Sequence, residues 1–189
     1  MKTEKEKMLA GEFYRPYTVS DSELTKERNK VQKLIRKLNN LCEDQIDLKN
    51  EVLEKILEKP INNLSVWTPF YCTYGYNISI GKNVFFNYNC TLLDTNQINI
   101  GDTVLIGPGV HIYTSTHPLN WQERSSGLQA SKPVNIGSNV WIGGNVTICP
   151  GVNIGDRVVI GAGSVVTESI SADIFAAGNP CRAKKSLIM

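Results

Sequence analysis

The sequence predicts a parallel β-helix of triangular coils with an α-helical segment ahead of it, and three observations carry that prediction. The first is a six-residue beat. Ile136, Ile142, Ile148, Ile154, Ile160 and Val166 stand six apart, and Val140, Val146, Val152 and Val158 follow the first four of them by four residues. A helix needs a period of 3.6 and a flat strand a period of 2, so here the repeat itself is the structural unit. The second is glycine: Gly101, Gly107, Gly137, Gly143, Gly155 and Gly161 directly follow an aliphatic residue, where a sharp corner asks for a backbone that a side chain would obstruct. The third is a change of texture near residue 60, from Lys- and Glu-rich sequence to β-branched sequence.

In a coil of this kind the aliphatic residue points inward and stacks on its equivalents above and below. Asn135, Ser138, Asn139, Asn145, Asn153, Asp156 and Arg157 face out. The same beat stands upstream at Ile100, Ile106 and Ile112, with Val104 and Val110 in the second position.

Residues 1–60 are expected to form a helical cap. Leu24, Val31, Leu34, Ile35, Leu38 and Leu41 recur at helical spacing after a cap at Ser20 or Ser22. A second helix is expected over about residues 47–58, with Leu48, Val52, Leu53, Ile56 and Leu57 on one face and Pro60 stopping it. So few apolar residues cannot make a domain alone, so the helices should cover the open end of the β-helix. Residues 61–189 then form the β-helix. Its first coils carry inward Ile78, Ile80, Val84, Leu92, Ile98 and Ile100 out of strict register, with many aromatic and polar residues between them. Between Ile112 and Val134 the beat vanishes, and it resumes in phase at Ile136. An insertion that keeps phase is a loop thrown out from one corner, here residues 113–133, and long loops in compact proteins usually carry function. It contains His117, one of two histidines. After Ile170 the coils are expected to end in a short tail bearing Arg182, Lys184 and Lys185.

Bulk properties narrow the function. A net charge of +2 over 189 residues argues against nucleic acid as the main partner. Five cysteines without a CxxC spacing suggest neither a disulfide framework nor a zinc knuckle, and reduced thiols point to the cytoplasm. No run has the length for a membrane span or a signal peptide core.

The segments MKTEKEKMLAGEFY, YCTYGYNISIG, FFNYNC, HIYTSTHPL, KPVNIGSNVWIGG, PGVNIGDRVVIGAGSVVT and AAGNPCR resemble the galactoside and maltose O-acetyltransferases of the hexapeptide-repeat acyltransferase superfamily, over nearly the whole chain. The resemblance implies a left-handed β-helix, a homotrimer with active sites between subunits, acetyl-CoA as co-substrate, no metal, and a sugar or glycoside as acceptor. Acetyl transfer to a hydroxyl needs a base for the proton and a donor for the developing oxyanion, and imidazole titrates near neutrality. His117 matches the family's catalytic histidine, whereas His111, one residue before inward Ile112, is expected to be an outward-facing or interface residue without a catalytic role. Asn87 matches the asparagine near the reacting centre, although a turn asparagine in the left-handed conformation fits the same position.

Thr73 and Asp94 match or neighbour acceptor-binding positions, and Asp94 could equally close a corner. Thr95 stands with Thr73 where relatives tend to carry an acid, and Arg15-Pro16 stands where they carry another, which leaves the acceptor's identity open. For the donor, Trp141, Gly143, Gly144, Ala162 and Thr167 match the pantetheine track. Arg182 and Lys185 match positions near the nucleotide, and Glu168 stands where relatives more often have lysine. Corner geometry explains Gly143 and Gly161 but does not require Gly144. The rivals are an acetyltransferase acting on a drug or another small-molecule hydroxyl, a zinc hydratase that would need three converging histidines, and a non-catalytic structural β-helix.

Overall fold

A computed structural model describes residues 1–16 and 22–188. The chain winds into a left-handed prism of parallel coils with three faces. The first face stacks Leu64–Val66, Val84–Phe86, Leu105–Ile106, Trp141–Ile142, Val159–Ile160 and Ile174–Ala177, closed by Arg182–Ser186. The second stacks Phe70–Cys72, Cys90–Leu93, His111–Tyr113, Thr147–Ile148 and Val165–Val166. The third stacks Ile78–Ile80, Ile98–Ile100, Val134–Ile136 and Asn153–Ile154.

Register explains why the beat was visible. Ile142 pairs with Ile106 and Ile160, Ile148 with Ile112 and Val166, and Ile136 with Ile100 and Ile154. Each inward aliphatic therefore touches its own equivalent, and nearly all are fully buried; Ile80, near the irregular start, is only partly so. Full burial of one such side chain contributes roughly 1.5–3 kcal/mol, so each coil is stabilised mainly by its neighbours. On the third face Asn99, Asn135 and Asn153 form an outward ladder, amide to amide at 2.8 and 2.6 Å.

The corner glycines serve a different constraint from the one expected. The left-handed conformation falls two residues later, on Asn83, Thr103, Asn139, Asn145 and Arg157. A Cβ on Gly143, however, would lie 2.6 Å from the Ala162 backbone nitrogen, so the next coil passes too close for any side chain.

Among the described residues the cap holds three helices: α1 (Glu4–Leu9), α2 (Glu23–Asn39) and α3 (Ile46–Leu57). Ser22 caps α2 by accepting from the Thr25 amide, while Ser20 lies outside the described residues. Val31, Ile35 and Leu38 of α2 and Val52, Leu53 and Ile56 of α3 join one core with the first coils. Helix α1, in a stretch that reads only as charged, is set by a capping box between Thr3 and Glu6 and buries Met8.

Two further features depart from expectation. The C-terminal stretch is no tail: Ile174–Ala177 adds a coil to the first face and Arg182–Ser186 folds back antiparallel on it. The loop between the second and third faces is regular rather than open: it contains a short ribbon, Ser115–Thr116 against Ala130–Ser131, with helix α4 (Trp121–Ser125) at its tip. No helix among the described residues is long and apolar enough to cross a membrane.

Candidate active site

His117 stands directly after the outgoing ribbon strand, exposed, with its Nδ1 3.2 Å from the Leu128 carbonyl. A carbonyl only accepts, so Nδ1 is the donor of this bond, and in the neutral ring the lone pair then falls on Nε2. Glu123, close in sequence, lies on α4 with its backbone amide on the Asn120 side chain, so the orienting group is a backbone oxygen. No side-chain pattern could reveal such a partner. His111 lies outward on the second face with its ring 5.6 Å from Tyr113.

Asn87 sits at the corner between the first and second faces. Its Oδ1 accepts from the Tyr88 amide at 2.8 Å, which fixes the side chain and leaves Nδ2 pointing away as a donor. The left-handed residue of this corner is Asn89, not Asn87, so the turn explanation of Asn87 fails. Asn87 opens a groove of about 450 Å³ that climbs past Phe85, Leu105, Trp141, Gly144 and Ala162 to Phe175. Four coil steps at about 4.8 Å give it a length near 19 Å. A Cβ on Gly144 would meet only Pro108, at 3.2 Å and beyond, so its lack of a side chain matters chiefly to the groove. A larger hollow of about 610 Å³ lies between α3 and Leu64–Val66, but its Lys49 and Glu43 are bonded to each other at 2.6 Å and it holds no imidazole.

The remaining residues sort by edge of the prism. Thr73, Asp94, Thr95, Thr167 and Glu168 follow strands of the second face and share the edge from which His117 emerges; Asn87, Gly144 and Ala162 share the edge before it. The structure thus brings Asn87, Trp141, Gly144 and Ala162 together and leaves His117 and Thr167 on another edge. Periodicity could have shown this division, because corners six residues apart alternate among the three edges.

Two acceptor assignments change. Asp94 is fully buried and accepts from the backbone amides of Thr73, Tyr74 and Gly75 at 2.7, 2.9 and 2.7 Å. It closes the corner and presents no carboxylate outward. Burial pushes its carboxyl up to about 7, against the pull of those amides. Thr95 is also buried, its hydroxyl 3.1 Å from that of Thr114. Thr73 alone of the three stays partly exposed.

At the other end Lys185 is exposed and pairs across the backbone with Phe175, the last residue of the groove. Arg182 is held 3.1 Å from Glu168, so that acid draws on the charge a phosphate would use. Among the described residues no three His, Cys, Asp or Glu side chains converge as a metal site.

Comparison with known proteins gives this geometry a context. Residues 133–168 match the bacterial transferase hexapeptide model of six repeats, and residues 7–60 match the maltose acetyltransferase hexapeptide capping motif. A maltose O-acetyltransferase from Clostridium difficile 630 superposes with a TM-score of 0.94 at 46% identity, over 100% of this chain and 99% of that one. A hexapeptide-repeat acetyltransferase from Vibrio cholerae O1 biovar eltor, complexed with acetyl coenzyme A, gives 0.89 at 34% identity over the whole of both chains. A galactoside acetyltransferase in complex with coenzyme A gives 0.89 at 34% identity, over 100% of this chain and 92% of that one. With fold, cap and repeat all matched end to end, the chain belongs to the maltose and galactoside O-acetyltransferase branch of the hexapeptide-repeat acyltransferases, and it is an acetyltransferase of that type.

Proposed function

We propose that the protein moves an acetyl group from acetyl-CoA to a hydroxyl of a sugar or glycoside, and that each active site is shared by two protomers of a homotrimer. The observation that carries this reading is the split of the site between two edges. One edge offers the groove and the Asn87 amide, and the other offers His117, with no loop residue lining the groove of its own chain. A neighbouring copy brings the two together. Leu119 and Trp121, beside His117, are 97% and 65% exposed, and Leu105 and Trp141 on the first face are 51% and 55% exposed. Apolar surface of this kind suits burial between copies.

In this arrangement acetyl-CoA lies along the groove, with Trp141 and Gly144 beside the arm and Ala162, Arg182 and Lys185 toward the nucleotide end, while Thr167, on the edge that carries His117, faces it from the neighbouring protomer. His117 Nε2 takes the acceptor's hydroxyl proton as that oxygen bonds to the thioester carbon. Asn87 Nδ2 donates to the resulting oxyanion. Collapse breaks the carbon–sulfur bond, and the imidazolium returns the proton to the leaving thiolate, giving the acetyl ester and free coenzyme A. Thr73, the exposed member of its corner, contacts the acceptor. The five cysteines are all free thiols, which suits a cytoplasmic enzyme.

Thiol release measured across a panel of sugars and glycosides tests this. His117→Ala is expected to lower kcat by about 10²- to 10⁴-fold while acetyl-CoA binding and assembly mass persist. Near-normal turnover in that variant refutes the base, and thiol release with no sugar tested refutes the acceptor class.

A further inference from the structure

The ribbon that carries His117 is too short to hold itself. It comprises two residue pairs, Ala130 opposite Thr116 and Ser131 opposite Ser115, and isolated hairpins even of ordinary length are marginal in water. Its returning strand is held from the far side by the N-terminal segment. Tyr14 and Gln129 exchange both backbone hydrogen bonds at 2.9 Å, which makes that strand the middle of three. Gln129 adjoins Leu128, whose carbonyl orients the imidazole.

A second tether lies two residues further on. Ser131, almost wholly buried, donates its hydroxyl to the Met8 carbonyl at 2.7 Å, at the C-terminal end of α1. The Asn96 amide, also buried, reaches the same carbonyl at 3.2 Å, the Leu9 carbonyl at 3.4 Å and the Ser131 hydroxyl at 3.2 Å. Its backbone amide donates to Thr114 Oγ1 at 2.9 Å, on the loop's outgoing leg. Both legs of the loop, the end of α1 and one prism corner therefore meet in a single buried polar network. Buried networks of this kind are rigid when every member is satisfied.

From these contacts we infer that residues 8–14 form a strap that positions His117, with Ser131 and Asn96 as positioning residues that act through the Leu128 carbonyl. The inference rests on His117 being the base. Without the strap the ribbon slides, the bond from Nδ1 to Leu128 is lost for part of the time, and the ring samples the tautomer whose Nε2 bears the proton. In that form it cannot accept one from the acceptor.

Because the chain has two histidines, ¹⁵N-histidine labelling yields two ring systems, and His117→Ala identifies which is which. In the full-length protein the His117 signals should report a proton on Nδ1. Ser131→Ala should raise the other tautomer and lower kcat roughly 10-fold, within the about 10²-fold that a 1 Å misplacement can cost. KM for acetyl-CoA should stay unchanged, since the groove lies on another edge, and Ser131→Thr should restore both readouts. Arg15→Ala removes an exposed bond from Nε to the Ser126 carbonyl, 3.3 Å long, and should move the tautomer the same way by less. Folded Ser131→Ala with native tautomer and native kcat overturns the proposal. If that variant does not fold, an unmoved tautomer in Arg15→Ala overturns it. Failure of the base itself shows separately, as turnover surviving in His117→Ala.

Discussion

The coils of residues 134–170 and the loop of residues 113–133 are consecutive in sequence and held by opposite means. Each coil is fixed by stacking an aliphatic residue on the same residue type above and below, so its stability is local in space and periodic in sequence. The loop's buried side chains are mostly polar, Thr114, Gln129 and Ser131; its α4 has no buried residue, and its order comes from pairing with Tyr14 and from the Met8 carbonyl. The protein therefore keeps a stiff frame for the groove and hangs His117 on a part whose geometry is set from the N-terminus.

If that contrast is right, the two regions should respond to substitution in different currencies. Ile148→Ala, in the stacked core, should cost about 2–5 kcal/mol of stability and lower the melting temperature markedly, while turnover of the folded fraction holds. Equal loss of kcat per folded molecule would break the comparison. Asn87→Ala, at the frame's exposed corner, should do the reverse. Thiol release should fall about 10²- to 10³-fold with little thermal shift, because Asn87 presents its free amide and is only partly buried.

A smaller effect sharpens the picture at the corner that holds Thr73. The Asp94 carboxyl binds its proton more tightly in the folded protein than in the unfolded chain, where an aspartate titrates near 3.8. Its contribution to stability is therefore complete below about pH 3.8 and is lost as the pH rises through about 7. Melting temperatures of wild type and Asp94→Asn, whose neutral amide has the shape of the protonated carboxyl, should lie closest at the acid end of that window, with the wild type falling relative to the variant as the pH rises through about 7. A constant gap would show that the carboxylate stays ionised throughout, held by its three amide donors.

What the sequence made legible follows from the same contrast. The beat at Ile136 through Val166 exposed the fold because burial repeats with the coil, and the break after Ile112 exposed the loop because burial stops there. His117, Asn87 and the groove residues Trp141, Gly144 and Ala162 were marked by motif. Asp94 stays open between corner and acceptor in the sequence, because a corner carboxylate and a ligand carboxylate share one signature and only burial separates them, and the inward bond of the Thr95 hydroxyl to Thr114 has no sequence signature. The C-terminal strands leave no clear signal because Ile174–Ala177 falls after the beat has ended and Arg182–Ser186 is exposed and largely charged. The strap left no signal at all: Tyr14 and Gln129 meet through backbone atoms, which carry no side-chain identity.

The central claim is that His117 of one protomer serves the groove of the next. It is tested most directly by mixing two inactive proteins, His117→Ala and Asn87→Ala, under conditions that exchange protomers. Random assortment should rebuild an intact site at about one in four interfaces, and thiol release should return to roughly a quarter of the wild-type level. Verified hybrid trimers with no activity above either parent would place both residues in the same chain's site and contradict the account.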